Sequence, residues 1–136
     1  MNQAPVGSRP TVVEEIGPVA MGRLTKRSEF LKVAAARRRW AAPGLVLEAL
    51  RTDMDEAGLR VGLTVSRKVG GAVERNRARR RLRALARGVL PYDAKPGFDY
   101  VLIGRRATLT RPYDGLVADL KESLRRVKAA RSDRLQ

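Results

Sequence analysis

Between Arg75 and Arg87 the chain places seven arginines in thirteen residues, with Asn76 among them. A guanidinium is planar, permanently charged and carries its donors in a fork that matches phosphate or carboxylate oxygens. That is the chemistry of holding an anion rather than of moving a proton. Lysine would serve a surface that only needs to be soluble. From Arg67 to Arg87 the single acidic residue is Glu74, so the i,i+4 ion pairs that quieten a basic helix are missing. Charges packed this densely repel one another unless a polyanion offsets them. Just upstream, Ser66-Arg67-Lys68-Val69-Gly70-Gly71 adds two cations and two glycines. Backbone N–H groups at a helix start, approached closely across glycine, favour an anion; a plain strand-to-helix turn is the alternative. The Gly-Lys-Ser/Thr ending of a Walker loop is absent.

The totals point the same way. The 136 residues carry 29 Lys+Arg against 14 Asp+Glu, a formal charge of +15, with nucleic acid the leading partner and a membrane surface the second. There is no Cys and no His, which removes thiol nucleophiles, disulfides, common zinc sites and the commonest general base. The acids are scattered through turns, whereas a protein-only nuclease needs them clustered around two metals. No run approaches the roughly 18 apolar residues of a membrane span, and the N-terminus lacks the apolar stretch of an export signal. The expected location is cytoplasmic. Six aromatics, Phe30, Trp40, Tyr92, Phe98, Tyr100 and Tyr113, are too few for a stacking sheet of the usual RNA-binding kind. No helix-turn-helix spacing is visible, and a recognition helix mixes base-reading Asn, Gln and Ser with its basic residues, so DNA is not expected.

Several elements must position the arginines. At about 100° per residue, Ala78, Leu82, Leu85, Ala86 and Val89 fall in one narrow sector and predict the buried side of a long helix. Asn76, Arg80, Arg83 and Arg87 share one solvent flank, and Arg77 and Arg81 the other. Arg75 and Arg79 sit beside the apolar sector, where a long stem packs and the charge emerges at the edge. "LPYDAKPG" is expected to break this helix. An earlier helix starts near Thr25 or Ser28 and carries Phe30, Leu31, Val33 and Ala34. Leu45–Thr52 and the "LRVGLTVSRK" run read as two strands joined in a hairpin, with Gly62, Thr64 and Ser66 on the polar face. Phe98–Arg105 is a third strand. Leu116, Leu120 and Leu124 stripe a last helix. The order α-β-β-β-α-β-α, counting a short strand around Arg39–Ala41, describes a single α/β sandwich with three helices on a small mixed sheet of about four strands. Residues 1–22 are expected to be a flexible tail with Met21 as a possible natural start, residues 23–128 the domain, and residues 129–136 a second flexible tail.

"RVGLTVSRKVGGAVERNRARRRLR" closely resembles the signature of the bacterial ribonuclease P protein subunit. "GRLTKRSEFLKV" is similar to that family's first helix, and "DYVLIGRRA" to its last strand. The resemblance spans about Arg23 to Val127. It implies a sandwich in which the arginine helix makes a left-handed crossover between two parallel strands, against the general right-handed preference. It implies a protein that binds a large catalytic RNA and the 5′ leader of precursor tRNA, while the RNA and its Mg²⁺ hydrolyse the phosphodiester. No protein residue is then catalytic. By the same resemblance, Arg67, Lys68, Arg75, Asn76, Arg77, Arg79, Arg80, Arg81 and Arg83 contact the catalytic RNA. Lys26, Phe30, Glu48, Thr64 and Ser66 line a leader cleft, and metal-contacting residues stay unassigned. Gly71 stands where the family carries Asn, and Ala34 where it carries a second aromatic, so the chain departs from the family pattern at both positions. A small ribosomal RNA binder is the competing reading; the Arg-Asn-Arg segment after a strand separates the two.

Overall fold

The computed structural model describes residues 18–52 and 58–131. In chain order these form β1 (Ala20–Arg23), α1 (Arg27–Ala35), β2 (Arg39–Ala41), β3 (Leu45–Arg51), β4 (Gly58–Thr64), α2 (Ala72–Asp93), β5 (Phe98–Gly104) and α3 (Tyr113–Arg126), with 3₁₀ turns at Arg67–Val69 and Arg106–Leu109. One mixed five-stranded sheet runs in the order β1-β4-β5-β3-β2. The expected sandwich with three helices is found, and the sheet has five strands rather than four.

The expected β3–β4 hairpin is not formed. Strand β5 lies between the two, antiparallel to β3 and parallel to β4. Burial explains the order. Phe98 to Leu102 are buried on both faces, which is the signature of a central strand, whereas β4 exposes Arg60 and Thr64. Helix α2 connects the parallel neighbours β4 and β5, as the resemblance implies.

Alternation divides the sheet into two faces. Leu45, Leu47, Ala49, Leu59, Val61, Tyr100 and Leu102 point to the side covered by α2 and α3 and form the main core with Leu82, Leu85, Leu90, Leu116, Leu120 and Leu124. Each fully buried leucine stabilises the fold by about 2–3 kcal/mol relative to exposure. A smaller cluster on the opposite face, built on Leu24, Val33 and Val101 with Phe30 and Ile103, seats α1.

Three boundaries differ from expectation. Ala20 and Met21, placed by sequence in the tail, pair with Gly58 and Leu59 as part of β1. Ala129, Ala130 and Arg131 are buried rather than frayed, because Lys95 N–H donates to the Ala129 carbonyl at 2.8 Å and Ala130 bridges Ala94. Helix α2 continues through Pro91 to Asp93. A proline in the last turn forfeits one bond, to the carbonyl of Arg87, an exposed residue. The Pro91 carbonyl is in turn satisfied by Val19 N–H at 2.9 Å and Arg131 Nη2 at 2.5 Å. Residues 1–17 and 132–136 of the expected tails lie outside the described residues.

Candidate nucleic-acid interface

Helix α2 is entered through a built turn. Val69 is buried and anchors the 3₁₀ turn, while Arg67 and Lys68 point to solvent. Ser66 Oγ accepts from Lys68 N–H at 3.3 Å. Gly70 takes φ +152°, and a Cβ there would come within 2.8 Å of the Glu74 Cβ, so only glycine fits. The helix-start anion site suggested by the glycines is partly filled from within. Glu74 Oε1 accepts from Gly71 N–H at 2.9 Å, a negative charge in the first turn that also suits the helix dipole.

Along α2 the expected burial is observed. Ala78, Leu82, Leu85, Ala86 and Val89 are buried, joined by Leu90. Asn76, Arg77, Arg80, Arg83 and Arg87 are exposed, and Arg75 and Arg79 are half-buried at the helix edge. Arg75 Nε bonds weakly to the Gly71 carbonyl at 3.4 Å, and Arg79 Nη1 to Asn76 Oδ1 at 3.3 Å. Arg81 is different. Its guanidinium donates to the Leu109 carbonyl at 2.8 Å and to the Arg111 carbonyl at 2.5 Å, binding α2 to the loop that leads into α3. Among the described residues, none of Arg77, Arg80, Arg83 and Arg87 is in an ion pair. They form an outward face of fixed positive charge.

The other face of the sheet carries α1, and this is the face where the resemblance implies a leader cleft. Register sets three rows across it. Gly22, Arg60, Asp99 and Leu50 form the first; Gly62, Val101, Glu48 and Arg39 the second; Thr64, Ile103, Val46 and Ala41 the third. Phe30 lies directly over Gly62, where a Cβ would sit 2.5 Å from its ring, so glycine lets the aromatic reach the sheet. Arg60 clamps α1 in place. Its guanidinium grips Asp99 with two bonds of 3.0 and 2.8 Å and reaches Glu29 Oε2 at 2.8 Å. The other Glu29 oxygen accepts from the Thr25 and Lys26 N–H groups at 2.9 and 3.0 Å. These backbone donors, with Arg60, hold the Glu29 carboxyl at about 2, below its ordinary 4.5. The paired carboxylates push the Arg60 guanidinium up in turn.

The five residues expected to line a cleft are thus unequally placed. Phe30, Glu48 and Thr64 share the α1 face of the sheet. Lys26 precedes α1 at the Arg60 end, and Ser66 lies beyond Thr64 at the opposite end of β4, so the structure does not bring these two together. Sequence reasoning missed Arg39, Arg60, Val46 and Ile103. Alternation along β3 and β5 marks Val46 and Ile103 as facing Glu48's side; nothing in the sequence sets the register of the three-residue β2.

These features meet in known proteins. A family model described as Ribonuclease P matches residues 20–128. The chain belongs to the ribonuclease P protein family. It is 56% identical over 112 residues to the ribonuclease P protein component of Paramagnetospirillum magneticum, covering 80% of this chain and 84% of that one. To that of Ruegeria pomeroyi it is 51% identical over 122 residues, covering 88% and 97%. Among solved structures, the ribonuclease P protein from Thermotoga maritima superposes with a TM-score of 0.60 at 27% identity, over 74% of this chain and 92% of that one. The Staphylococcus aureus protein has the same fold, with a TM-score of 0.66 at 21% identity over 79% and 95%. The chain is therefore a protein subunit of the ribonuclease P ribonucleoprotein, an endoribonuclease complex of tRNA processing, and its partner is the ribonuclease P RNA. Among the described residues, no helix is long and apolar enough to cross a membrane.

Proposed function

We propose that this subunit grips the catalytic RNA along the arginine face of α2 and holds the 5′ leader of precursor tRNA in the groove beside α1. In this reading it assists the Mg²⁺-dependent hydrolysis that removes the leader in the cytoplasm, and the RNA carries the catalysis. The observation that carries it is the row of exposed, unpaired guanidiniums at Arg77, Arg80, Arg83 and Arg87, which have no acid to meet within the described fold. Phosphates supply that charge, and each one neutralised releases condensed counterions.

The carboxylates of the described residues do not fit a resident Mg²⁺ site. Among the described residues no group of three or more potential ligands comes together. Asp99 and Asp119 are each held by an arginine. The metal is accordingly assigned to the RNA, and no step is drawn through the protein for it. What the protein contributes is position and charge: a polyanion held on one face and a single strand oriented on the other.

The test is leader cleavage at low Mg²⁺ by the catalytic RNA with and without the protein. Cleavage restored by the protein is the expected result. Binding of the RNA with no effect on cleavage would favour a purely structural RNA binder.

A further inference from the structure

Two helices are followed by a cation where the backbone favours glycine. Arg37, just past α1, has φ 58°, and Lys128, just past α3, has φ 61°; they are the two non-glycine residues with positive φ among the described residues. Both sit in hydrogen-bonded caps. Arg37 N–H donates to the Ala34 carbonyl at 3.2 Å, and the Lys128 and Ala129 N–H groups donate to the Arg125 and Leu124 carbonyls at 3.1 and 2.8 Å. Glycine takes this position without steric cost, and a long side chain does not. A helix dipole favours cations at this end, but Lys32 in α1 and Arg125 and Arg126 in α3 already stand in the last turns. The two added charges therefore run against the local preference of the chain, and strain of this kind points to use.

The two turns form one corner. Arg38 Nε donates to the Val127 carbonyl at 2.6 Å, which joins the residue after Arg37 to the residue before Lys128. Lys95 Nζ reaches the Lys128 carbonyl at 3.2 Å. Trp40 on edge strand β2 pairs with Leu47 and so faces the α3 side of the sheet, away from α1. The Arg126 guanidinium lies over the Trp40 ring, 4.7 Å from its centroid, and Glu122 holds its Nε at 2.6 Å. An aromatic face and a carboxylate thus fix this arginine before any ligand arrives, so little ordering is lost on binding. Arg37 and Lys128 are exposed and in no ion pair among the described residues.

Charge and position decide the partner. The Tyr113 hydroxyl reaches the Ala84 carbonyl at 3.4 Å, and Lys121 pairs with Asp93 at 4.0 Å. Helix α3 therefore runs alongside the C-terminal half of α2 in the same direction, and the corner lies at its far end. From Asp93, Arg77 is about 24 Å back along α2. A small anion cannot touch both places, whereas a large folded polyanion can. We propose that Arg37, Lys95, Arg126 and Lys128 form a second phosphate-binding surface for the ribonuclease P RNA, so that the protein holds this RNA at two separated places. Two contacts on one molecule fix its orientation as well as its affinity.

The experiment measures binding of the ribonuclease P RNA, without precursor, to the full chain at several salt concentrations. Arg37→Gly combined with Lys128→Gly removes both charges and gives each turn the residue it favours. This double variant should melt at or above the wild-type temperature. It should nevertheless bind the RNA about tenfold more weakly at physiological salt, with a salt slope lower by about two. Unchanged affinity and slope overturn the proposal, and a lowered melting temperature with unchanged affinity does so by showing that the cations serve only the fold. Weaker binding of precursor by the assembled holoenzyme, with affinity for the RNA unchanged, overturns the choice of partner. A second variant reads proximity directly. The chain has no cysteine, so Ala36→Cys, exposed beside Arg37, carries a tethered iron–EDTA at a single place. In the assembled holoenzyme it should cut the ribonuclease P RNA, and the absence of such cuts overturns the proposal. Arg80→Ala tests the face of α2 by itself, so either contact can fail while the other stands.

Discussion

Arg80 and Arg81 are neighbours in a run of arginines, yet the structure gives them opposite work, and the difference is measurable. Arg81 ties α2 to the loop before α3 with two charged bonds to the Leu109 and Arg111 carbonyls. A hydrogen bond involving a charged group contributes about 1.5–3 kcal/mol. Arg81 is half-buried, so water takes over part of each bond when the side chain is removed. Arg81→Ala should therefore cost about 1.5–3 kcal/mol in all. For a domain of this size 1 kcal/mol moves the melting temperature by about 4 °C, so the variant should melt about 6–12 °C below the wild type. Arg80 is exposed and makes no bond or ion pair among the described residues. Arg80→Ala should leave stability within about 0.5 kcal/mol and instead lower the slope of log affinity against log salt by about one for the RNA. Thermal unfolding by circular dichroism and RNA binding at several salt concentrations read both quantities. An Arg81→Ala protein that melts with the wild type refutes the structural role. An Arg80→Ala protein with an unchanged salt slope refutes α2's outer face as the contact surface.

Leu82 is fully buried at the centre of the α2 contact with the sheet, so Leu82→Ala should destabilise by about 2–5 kcal/mol in a denaturant titration, with RNA affinity retained by the folded fraction. Glu29 supplies a pH dependence. Its carboxyl is held at about 2, below the ordinary 4.5, so its contribution is fully present above about 4.5 and is lost as pH falls toward 2; Glu29→Gln should flatten the stability profile across that window in urea unfolding, and a profile parallel to the wild type would remove Glu29 from the clamp.

The helix bearing the arginines was legible because a 3.6-residue period over Ala78, Leu82, Leu85, Ala86 and Val89 is a local signal and α2 is long. The strands as segments were legible for the same reason. Their pairing was not. Joining Leu45–Arg51 to Gly58–Thr64 as a hairpin follows the shortest connection, whereas the fold inserts β5 between them, which satisfies the two buried faces of Tyr100, Val101 and Leu102. Strand β1 gave no signal, since four residues with one glycine and little burial carry neither alternation nor a hydrophobic run. The C-terminal residues were misjudged because Ala129 and Ala130 are held by backbone bonds to Lys95 and Ala94, a long-range pairing that side-chain identity does not report. In the groove, Phe30, Glu48 and Thr64 could be named from alternation and family resemblance. The clamp of Arg60 on both Asp99 and Glu29 could not, because it depends on register and on where α1 lands.

The distribution of acid explains why the positive charge is concentrated on one face. Asp99 and Glu29 fix α1 through Arg60, and Asp119 holds Arg111 and the Gly44 N–H. Glu122 ties down Arg125 and Arg126, and Glu74 closes the turn into α2. Each of these is spent on an internal fastening, and among the described residues no acid pairs with Arg77, Arg80, Arg83 or Arg87. Their charges therefore add, within a Debye length of about 8 Å at physiological salt, and the RNA contact proposed for that face should be salt-sensitive and indifferent to sequence. Glu48 stands apart from this arrangement, buried on the opposite face of the sheet.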